Sequence, residues 1–133
     1  MLQYNYKFAK DDVMIFNGID LAEIERIEKS LKNERFKQRV YGKEELNELK
    51  NKKTESYAGA FCAKEAFAKA LGTGIRNFKL NEVQVLHDEF GKPYFSLSGN
   101  AEKIANDKKL NFALSISHTE KYAVAMVTAY KED

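Results

Sequence analysis

Two acidic residues, Asp20 and Glu65, are the first candidates for chemistry in this sequence. Asp20 follows a short apolar run and precedes a segment of helical periodicity, where a carboxylate could hold a cation beside a bound phosphate. It could also cap the predicted helix, because Glu23 follows three positions later and the two residues resemble a capping box. The preference for aspartate as a cap favours the second interpretation, but two carboxylate oxygens can serve both roles.

Glu65 lies in an alanine-rich segment between Lys64 and Lys69. At about 100° per residue, Lys64 falls within an apolar stripe and Glu65 lies beside Phe61. Unpaired buried charge is costly, so each of these side chains needs a partner. Glu65 could be a ligand in a phosphate site. Alternatively it pairs with Lys69 one turn later, while Lys64 extends its ammonium to solvent. The spacing does not decide between these interpretations.

Two further segments could approach a phosphate group. Gly72, Thr73 and Gly74 follow the alanine-rich segment, but glycines there are most often helix caps, and the complete Walker or Rossmann pattern is missing. His118 ends an apolar run at a predicted strand-to-turn junction, where it could cap the turn or donate to a phosphate oxygen. The sequence alone favours capping. Cys62, the single cysteine, is interpreted as a small packing residue.

Hydrophobic periodicity predicts the elements that position these residues. It predicts a buried strand over residues 13–19, an amphipathic helix that begins at Asp20, an exposed polar helix over 43–52 and a helix over 56–71. Beyond these, it predicts a hairpin around the Gly91-Lys92-Pro93 turn, a short helix over 100–106 and strands over 112–117 and 122–130. Helices followed by hairpins indicate an α+β domain with amino-terminal helices packed on an antiparallel sheet.

Composition bounds the class of protein. A chain of 133 residues with 44% hydrophobic and 32% charged residues is one globular domain, predicted to span residues 13–133. Residues 1–12 are interpreted as an amino-terminal extension, either native or a remnant of cloning. A net charge of +2 does not indicate nucleic-acid binding. No apolar run has the length of a membrane span and no secretory signal is visible, so a cytoplasmic location without a membrane partner is expected.

Five short segments are weak signals one by one, but together and in order they form a pattern that is specific for one protein family. They are GIDL at 18–21, FCAKEAFAKA at 61–70, LGTGI at 71–75, GKP at 91–93 and SISHT at 115–119. In this order, from about Val13 to Tyr130, the sequence closely resembles the bacterial holo-acyl-carrier-protein synthases, the small class of 4′-phosphopantetheinyl transferases. One departure is Phe16, which stands where the family often has the first glycine of Gly-x-Gly-x-Asp.

The resemblance implies a 4′-phosphopantetheinyl transferase fold and a set of site residues. Asp20 and Glu65 match the family's magnesium ligands, and Mn²⁺ would accept the same oxygens. The diphosphate of coenzyme A and water would complete the oxygen shell. The catalytic set is then Asp20, Glu65 and Lys69. Coenzyme A would contact Lys64, Lys69, Gly72, Thr73, Gly74 and His118, the lysines and His118 through its phosphates.

The resemblance also implies the reaction and its partners. A serine hydroxyl of apo-acyl carrier protein attacks the β-phosphorus of coenzyme A, adenosine 3′,5′-bisphosphate leaves, and the product supports fatty acid biosynthesis. The general base is either Glu65 or a metal-ordered water. Arg26, Arg35 and Arg39 match a basic surface that docks the carrier's acidic helix. Family members are homotrimers with active sites between subunits.

Two other classes of function are compatible with the same carboxylates. One is a non-catalytic module that binds carrier proteins, and the other is a divalent-metal phosphohydrolase. The lysines and His118 argue against the first class. The absence of further Asp/His metal motifs in the sequence argues against the second.

Overall fold

The computed structural model describes residues 14–72 and 77–131, and all structural statements concern these two ranges. The strands are β1 (Ile15–Glu23), β2 (Val83–His87), β3 (Pro93–Leu97), β4 (Asn111–His118) and β5 (Tyr122–Tyr130). The helices are α1 (Ile24–Ser30), α2 (Glu34–Val40), α3 (Lys43–Leu49), α4 (Thr54–Leu71) and α5 (Gly99–Asp107), and a 3₁₀ turn covers Leu80–Glu82. Within the two described ranges, no helix combines the length and apolarity needed to cross a membrane.

The main sheet has three antiparallel strands in the order β1-β5-β4, and α4 packs on one of its faces. Central strand β5 turns four small or β-branched residues toward the helix, all of them buried: Ala123, Ala125, Val127 and Ala129. Facing them, α4 is rich in alanine. Small side chains on both surfaces let the helix approach the sheet closely, so α4 lies over the middle strand with β1 and β4 on either side.

Strands β2 and β3 form a separate antiparallel hairpin, which is not hydrogen-bonded to the main sheet. An aromatic cluster attaches it to the rest of the domain. The ring centroid of Phe67 on α4 lies 5.5 Å from that of Phe78, 5.3 Å from that of Phe95 and 4.7 Å from that of Phe112. The position of the hairpin therefore depends on side-chain contacts rather than on a continuous hydrogen-bonded sheet.

The α+β class, the packing of helices on an antiparallel sheet, the long helix and the hairpin are confirmed. The predicted helix start at Asp20 is wrong, because β1 pairs with β5 as far as Glu23 and α1 begins only at Ile24. Asp20 is therefore not a helix cap. The cap position belongs to Glu23, whose side chain makes no capping bond. The second predicted helix is shorter than expected, and α2 was not predicted. Residues 1–12 lie outside the described ranges.

Gly18 on β1 is expected to tolerate no side chain, because it faces the backbone of α4. A Cβ at this position would lie 1.9 Å from the carbonyl oxygen of Ala66 and 2.7 Å from the amide nitrogen of Ala70. We expect Gly18→Ala to lower the free energy of unfolding by about 3 kcal/mol, since neither backbone segment can move independently. Thermal unfolding followed by circular dichroism measures the effect. The control is Asn17→Ala, which changes an exposed neighbour on the same strand. Equal melting temperatures of the two variants would contradict the close packing of Gly18 against α4.

Candidate functional site

Asp20 and Glu65 line one cavity of about 450 Å³, which we call the carboxylate cavity. Strand β1 supplies Asp20 from its helix-facing side, while α4 supplies Phe61 and Glu65 from consecutive turns. Helices α1 and α2 close the remaining sides. The other lining residues are Leu21, Ala22, Glu23, Arg26, Ile27, Ser30, Phe36 and Tyr122. The cavity thus combines three carboxylates, those of Asp20, Glu23 and Glu65, and the guanidinium of Arg26 with apolar side chains.

The environment of Glu65 disfavours its charged form. Burial raises the pKa of Glu65, the negative charge of Asp20 raises it further, and the Lys69 ammonium opposes both effects. An anionic pair of this kind has the chemistry of a site for a hard divalent cation, which takes oxygen ligands and relieves the repulsion. Among the described residues, no three His, Cys, Asp or Glu side chains group together as metal ligands. Two carboxylates would leave the other coordination positions to oxygens of a substrate or of water.

Lys69 lies beside this pair and is bonded to β1. Its Nζ donates to the Ile19 carbonyl oxygen at 2.9 Å and to Asp20 Oδ1 at 3.1 Å. The prediction that Lys69 pairs with Glu65 is replaced by this contact between α4 and β1. An ammonium has three donors, and the two contacts use two of them. Since the side chain is more than half exposed, a phosphate group could accept from the third.

Lys64 does not reach the carboxylate cavity. Its side chain is completely buried, and its Nζ donates to Glu45 Oε1 at 2.5 Å, to the Val83 carbonyl oxygen at 2.6 Å and to the Leu80 carbonyl oxygen at 3.3 Å. All three of its donors have partners inside the domain. The structure thus contradicts both the predicted phosphate contact of Lys64 and its predicted extension to solvent. The reason is the acidic partner on α3, which keeps the ammonium in the core.

The three predicted carrier-binding arginines lie on α1 and α2, the two helices that also contribute residues to the carboxylate cavity. Arg26 on α1 lines the cavity itself. Arg35 and Arg39 are exposed on α2, one turn apart, while Phe36 of the same helix faces the cavity. One helix therefore contributes an apolar wall to the cavity and two positive charges to the adjoining surface.

His118 lies on the other side of α4. It ends β4, its ring is exposed, and its Nδ1 is 3.4 Å from the Thr119 carbonyl oxygen. It lines a second cavity of about 220 Å³, which we call the histidine cavity. The other lining residues are Leu49, Glu55, Ser56, Gly59, Ala60, Val85, His87, Gly91, Pro93 and Ile116.

The sheet register shows why the two cavities are separate. Asp20 on β1 is opposite Ala125 on β5, and Ala125 is opposite Ile116 on β4. Two strand spacings, about 10 Å, therefore separate the Asp20 and Ile116 backbones. Helix α4 covers the strand between them. A single chain consequently keeps His118 away from Asp20 and Glu65.

Gly72 ends α4 in the left-handed conformation with φ 76°, so it acts as the helix cap that the sequence indicated. Thr73 and Gly74 lie outside the described residues, and the predicted contact of this loop with coenzyme A stays a prediction. Burial raises the pKa of the Cys62 thiol to about 12, and the charge of Asp20 adds to the effect. This fits the packing role predicted for Cys62 and does not favour a reactive thiolate.

The sequence did not reveal Glu45 as a structural partner of Lys64. Helix α3 was predicted to be exposed because most of its residues are polar, yet Glu45 is completely buried. A signal was present, since Glu45 lies one turn before buried Leu49 and so shares its inward side. The apolar wall that Phe36 contributes to the carboxylate cavity was also not predicted.

Comparison with known proteins assigns the family. The model of the 4′-phosphopantetheinyl transferase superfamily matches residues 17–127, which is most of the chain, so this chain belongs to that superfamily. Among its relatives, the holo-[acyl-carrier-protein] synthase of Fusobacterium nucleatum subsp. nucleatum is 48% identical over 113 residues, covering 82% of this chain and 93% of that protein. The synthase of Alkaliphilus metalliredigens is 49% identical over 116 residues, covering 84% and 95%.

A solved structure agrees with the sequence relatives. The crystal structure of a holo-(acyl-carrier-protein) synthase from Bacillus anthracis, in complex with CoA (3′,5′-ADP), superposes with a TM-score of 0.77 at 36% identity. The match covers 91% of this chain and 100% of that chain. The family resemblance of the five sequence segments is thereby confirmed at the level of the fold.

Proposed function

We propose that this chain transfers 4′-phosphopantetheine from coenzyme A to a serine of apo-acyl carrier protein, with adenosine 3′,5′-bisphosphate as the second product. The observation that carries this proposal is the carboxylate cavity, where Asp20 and Glu65 share one space with Lys69 beside them. The relatives named holo-[acyl-carrier-protein] synthase support the same reaction. Holo-carrier serves fatty acid biosynthesis as the carrier of acyl groups, and we infer a cytoplasmic enzyme that supports that process.

In the transfer, the serine oxygen forms a bond to the β-phosphorus, and the bond from that phosphorus to the bridging diphosphate oxygen breaks. The bridging oxygen leaves with the adenosine 3′,5′-bisphosphate. The serine proton passes to Glu65 or to a water that Glu65 holds. A carboxylate within reach of the serine hydroxyl can take its proton as a general base. Lys69 places a positive charge beside the reacting phosphate.

Asp20 and Glu65 are the residues that would hold Mg²⁺, and Mn²⁺ could occupy the same oxygens. The fit rests on the repulsion between the two carboxylates, which a cation would relieve. When bound, the ion neutralises charge on the diphosphate and so stabilises the transition state. Lys69 already offsets part of the charge of Asp20 at 3.1 Å, and it keeps that carboxylate oriented along β1.

The carrier protein is proposed to dock on the surface formed by α1 and α2. Arg26, Arg35 and Arg39 give this surface positive charge next to the mouth of the carboxylate cavity. An acidic helix of the carrier would be attracted to it, and charge complementarity chiefly increases the rate of association. The carrier's serine would then enter beside Phe36, close to Glu65.

A homotrimer with active sites between subunits is proposed for two reasons. The main sheet exposes five large side chains that are between 44% and 62% accessible: Ile15, Ile19, Leu21, Tyr122 and Met126. Large exposed apolar side chains grouped on one sheet are typical of an interface between subunits. In addition, α4 separates His118 from the carboxylates within one chain, and assembly could bring one subunit's His118 to its neighbour's carboxylate cavity.

Purified protein incubated with coenzyme A, Mg²⁺ and apo-acyl carrier protein is expected to increase the carrier's mass by one phosphopantetheine group. The measurement is intact-protein mass spectrometry. A carrier whose acceptor serine is replaced by alanine is the control and should gain nothing. Absence of any mass gain with a competent carrier would contradict the proposal. Coenzyme A cleavage without carrier modification would instead identify a phosphohydrolase, and carrier binding alone would identify a non-catalytic module.

A further inference from the structure

A buried ionic network joins three elements that the sheets do not connect. Glu45 on α3 and Lys64 on α4 pair at 2.5 Å, and both side chains are completely buried. Glu45 Oε1 also accepts from the Gly42 amide at 3.0 Å, and its Oε2 accepts from the Val85 amide at 2.9 Å. Lys64 also donates to the Val83 carbonyl oxygen, so the network is hydrogen-bonded to β2 at Val83 and at Val85.

Stability alone is a poor explanation for this network. Both charged groups have lost their hydration, because both side chains are completely buried. The desolvation cost of such a pair offsets most of the attraction, and apolar side chains of similar volume often stabilise a core equally well. The pair also makes directional hydrogen bonds, which apolar side chains cannot make. These bonds fix particular backbone atoms of β2 relative to α4.

One of the two β2 residues that the network binds, Val85, lies in the wall of the histidine cavity. Val85, His87 and Pro93 line the cavity from the β2–β3 hairpin, and Gly59 lines it from α4. The hairpin has no hydrogen bonds to the main sheet, so side chains hold these walls at their spacing. The aromatic cluster around Phe67 supplies apolar contact, and the network of Glu45 and Lys64 supplies the directed bonds.

The cavity has the chemistry for the nucleotide end of coenzyme A. Leu49, Val85, Pro93 and Ile116 offer apolar contact for a purine ring, and His118 at the rim can donate to a phosphate oxygen. The carboxylate cavity and the arginine surface lie on the other side of α4. A shift of the hairpin would therefore change the histidine cavity and leave the carrier surface in place.

We propose that Glu45 and Lys64 are positioning residues for coenzyme A, which hold the β2–β3 hairpin against α4 at the width the nucleotide requires. This inference rests on the proposed function. It assigns a role in substrate binding to two residues that contact neither substrate. It also explains why Lys64, although it is adjacent to Glu65 in sequence, points into the core rather than toward the phosphates.

The test is Glu45→Gln, which keeps the side-chain size but leaves one oxygen to serve the Gly42 amide, the Val85 amide and the Lys64 ammonium. We expect the KM for coenzyme A to rise about tenfold, by analogy with residues that orient a ligand indirectly. Since Glu65 and the carrier surface are unaffected, kcat and the KM for apo-carrier should stay within about twofold of wild type. The Val85 amide should exchange with deuterium faster.

A second variant covers the case in which Glu45→Gln alone does not fold, because it leaves the charge of Lys64 buried. Glu45→Gln combined with Lys64→Met removes both charges at similar volume and should fold. It loses the directed bond to the Val83 carbonyl oxygen and leaves the Gly42 and Val85 amides one oxygen between them, so the same rise in KM for coenzyme A is expected. Calorimetric titration with coenzyme A measures the loss of affinity independently of transfer.

The matched control is Val127→Ala, which removes methyl groups from a buried residue of β5. Val127 lines neither cavity. It should lower the melting temperature and leave the affinity for coenzyme A unchanged. Unchanged affinity in the folded Glu45 variants, or an equal loss in Val127→Ala, would overturn the positioning role. An inactive wild-type protein that binds coenzyme A would count against the proposed function instead.

Discussion

Glu65→Gln is expected to lower kcat about a thousandfold, the loss typical of a removed transition-state group, without unfolding the protein. The neutral amide cannot hold a divalent cation with Asp20, and it cannot accept the serine proton. Stability should stay the same or increase. Burial and Asp20 raise the pKa of Glu65, so the folded state at neutral pH contains a carboxylate that folding disfavours, and the amide removes this penalty.

Asp20→Asn should produce a similar loss of transfer, since it removes the other anionic oxygen pair and the partner of Lys69. Both variants are measured by carrier mass and by thermal unfolding. The control is Glu23→Gln, which neutralises a third acidic residue of the same cavity without touching the proposed metal pair. Transfer by Glu65→Gln at a rate near that of wild type would refute the role of the pair, and an equal loss in Glu23→Gln would show that cavity charge alone is required.

A mixed assembly of Glu65→Gln and His118→Ala subunits is expected to recover about a quarter of the wild-type activity, although each variant alone is nearly inactive. We assume that a site takes Glu65 from one subunit and His118 from its neighbour. In an equal mixture, half of the subunits have an intact Glu65 and the other half have an intact His118. Random assembly therefore places both intact residues at a quarter of the interfaces. Co-expression with two different tags yields the mixed assemblies, and the carrier mass assay measures their turnover.

The control for this experiment is a mixture of Glu65→Gln and Asp20→Asn. These two residues line the same cavity of one chain, so no mixture of the two subunits contains an intact carboxylate pair. It should stay inactive. If assemblies shown by native mass spectrometry to contain both Glu65→Gln and His118→Ala subunits also stay inactive, the site does not combine these residues from neighbouring subunits.

Separation of the two cavities matters for how the reaction would be organised. Coenzyme A would span from the histidine cavity of one subunit to the carboxylate cavity of another, with its diphosphate near Lys69. The carrier would approach from the arginine surface on α1 and α2. Each substrate would thus have its own surface, and the buried network of Glu45 and Lys64 would act on only one of them.

The sequence by itself determined the parts that depend on local pattern. The apolar stripe over residues 56–71 predicted the helix α4, and the Gly91-Lys92-Pro93 turn predicted the hairpin, because near neighbours along the chain decide both. The ordered segments around Asp20, Glu65 and His118 also predicted the family, which the comparisons confirm. Chemical identity and order along the chain were enough for these conclusions.

Only the tertiary structure decided which partner each charged residue has. Leu21 shares the helical spacing of Ile24 and Ile27, yet pairing with β5 keeps residues 15–23 extended and places Asp20 in a strand. Lys69 pairs with Asp20, and Lys64 pairs with Glu45. These contacts join residues distant in sequence. Their energies depend on burial and distance, and both exist only once the helices have packed on the sheet.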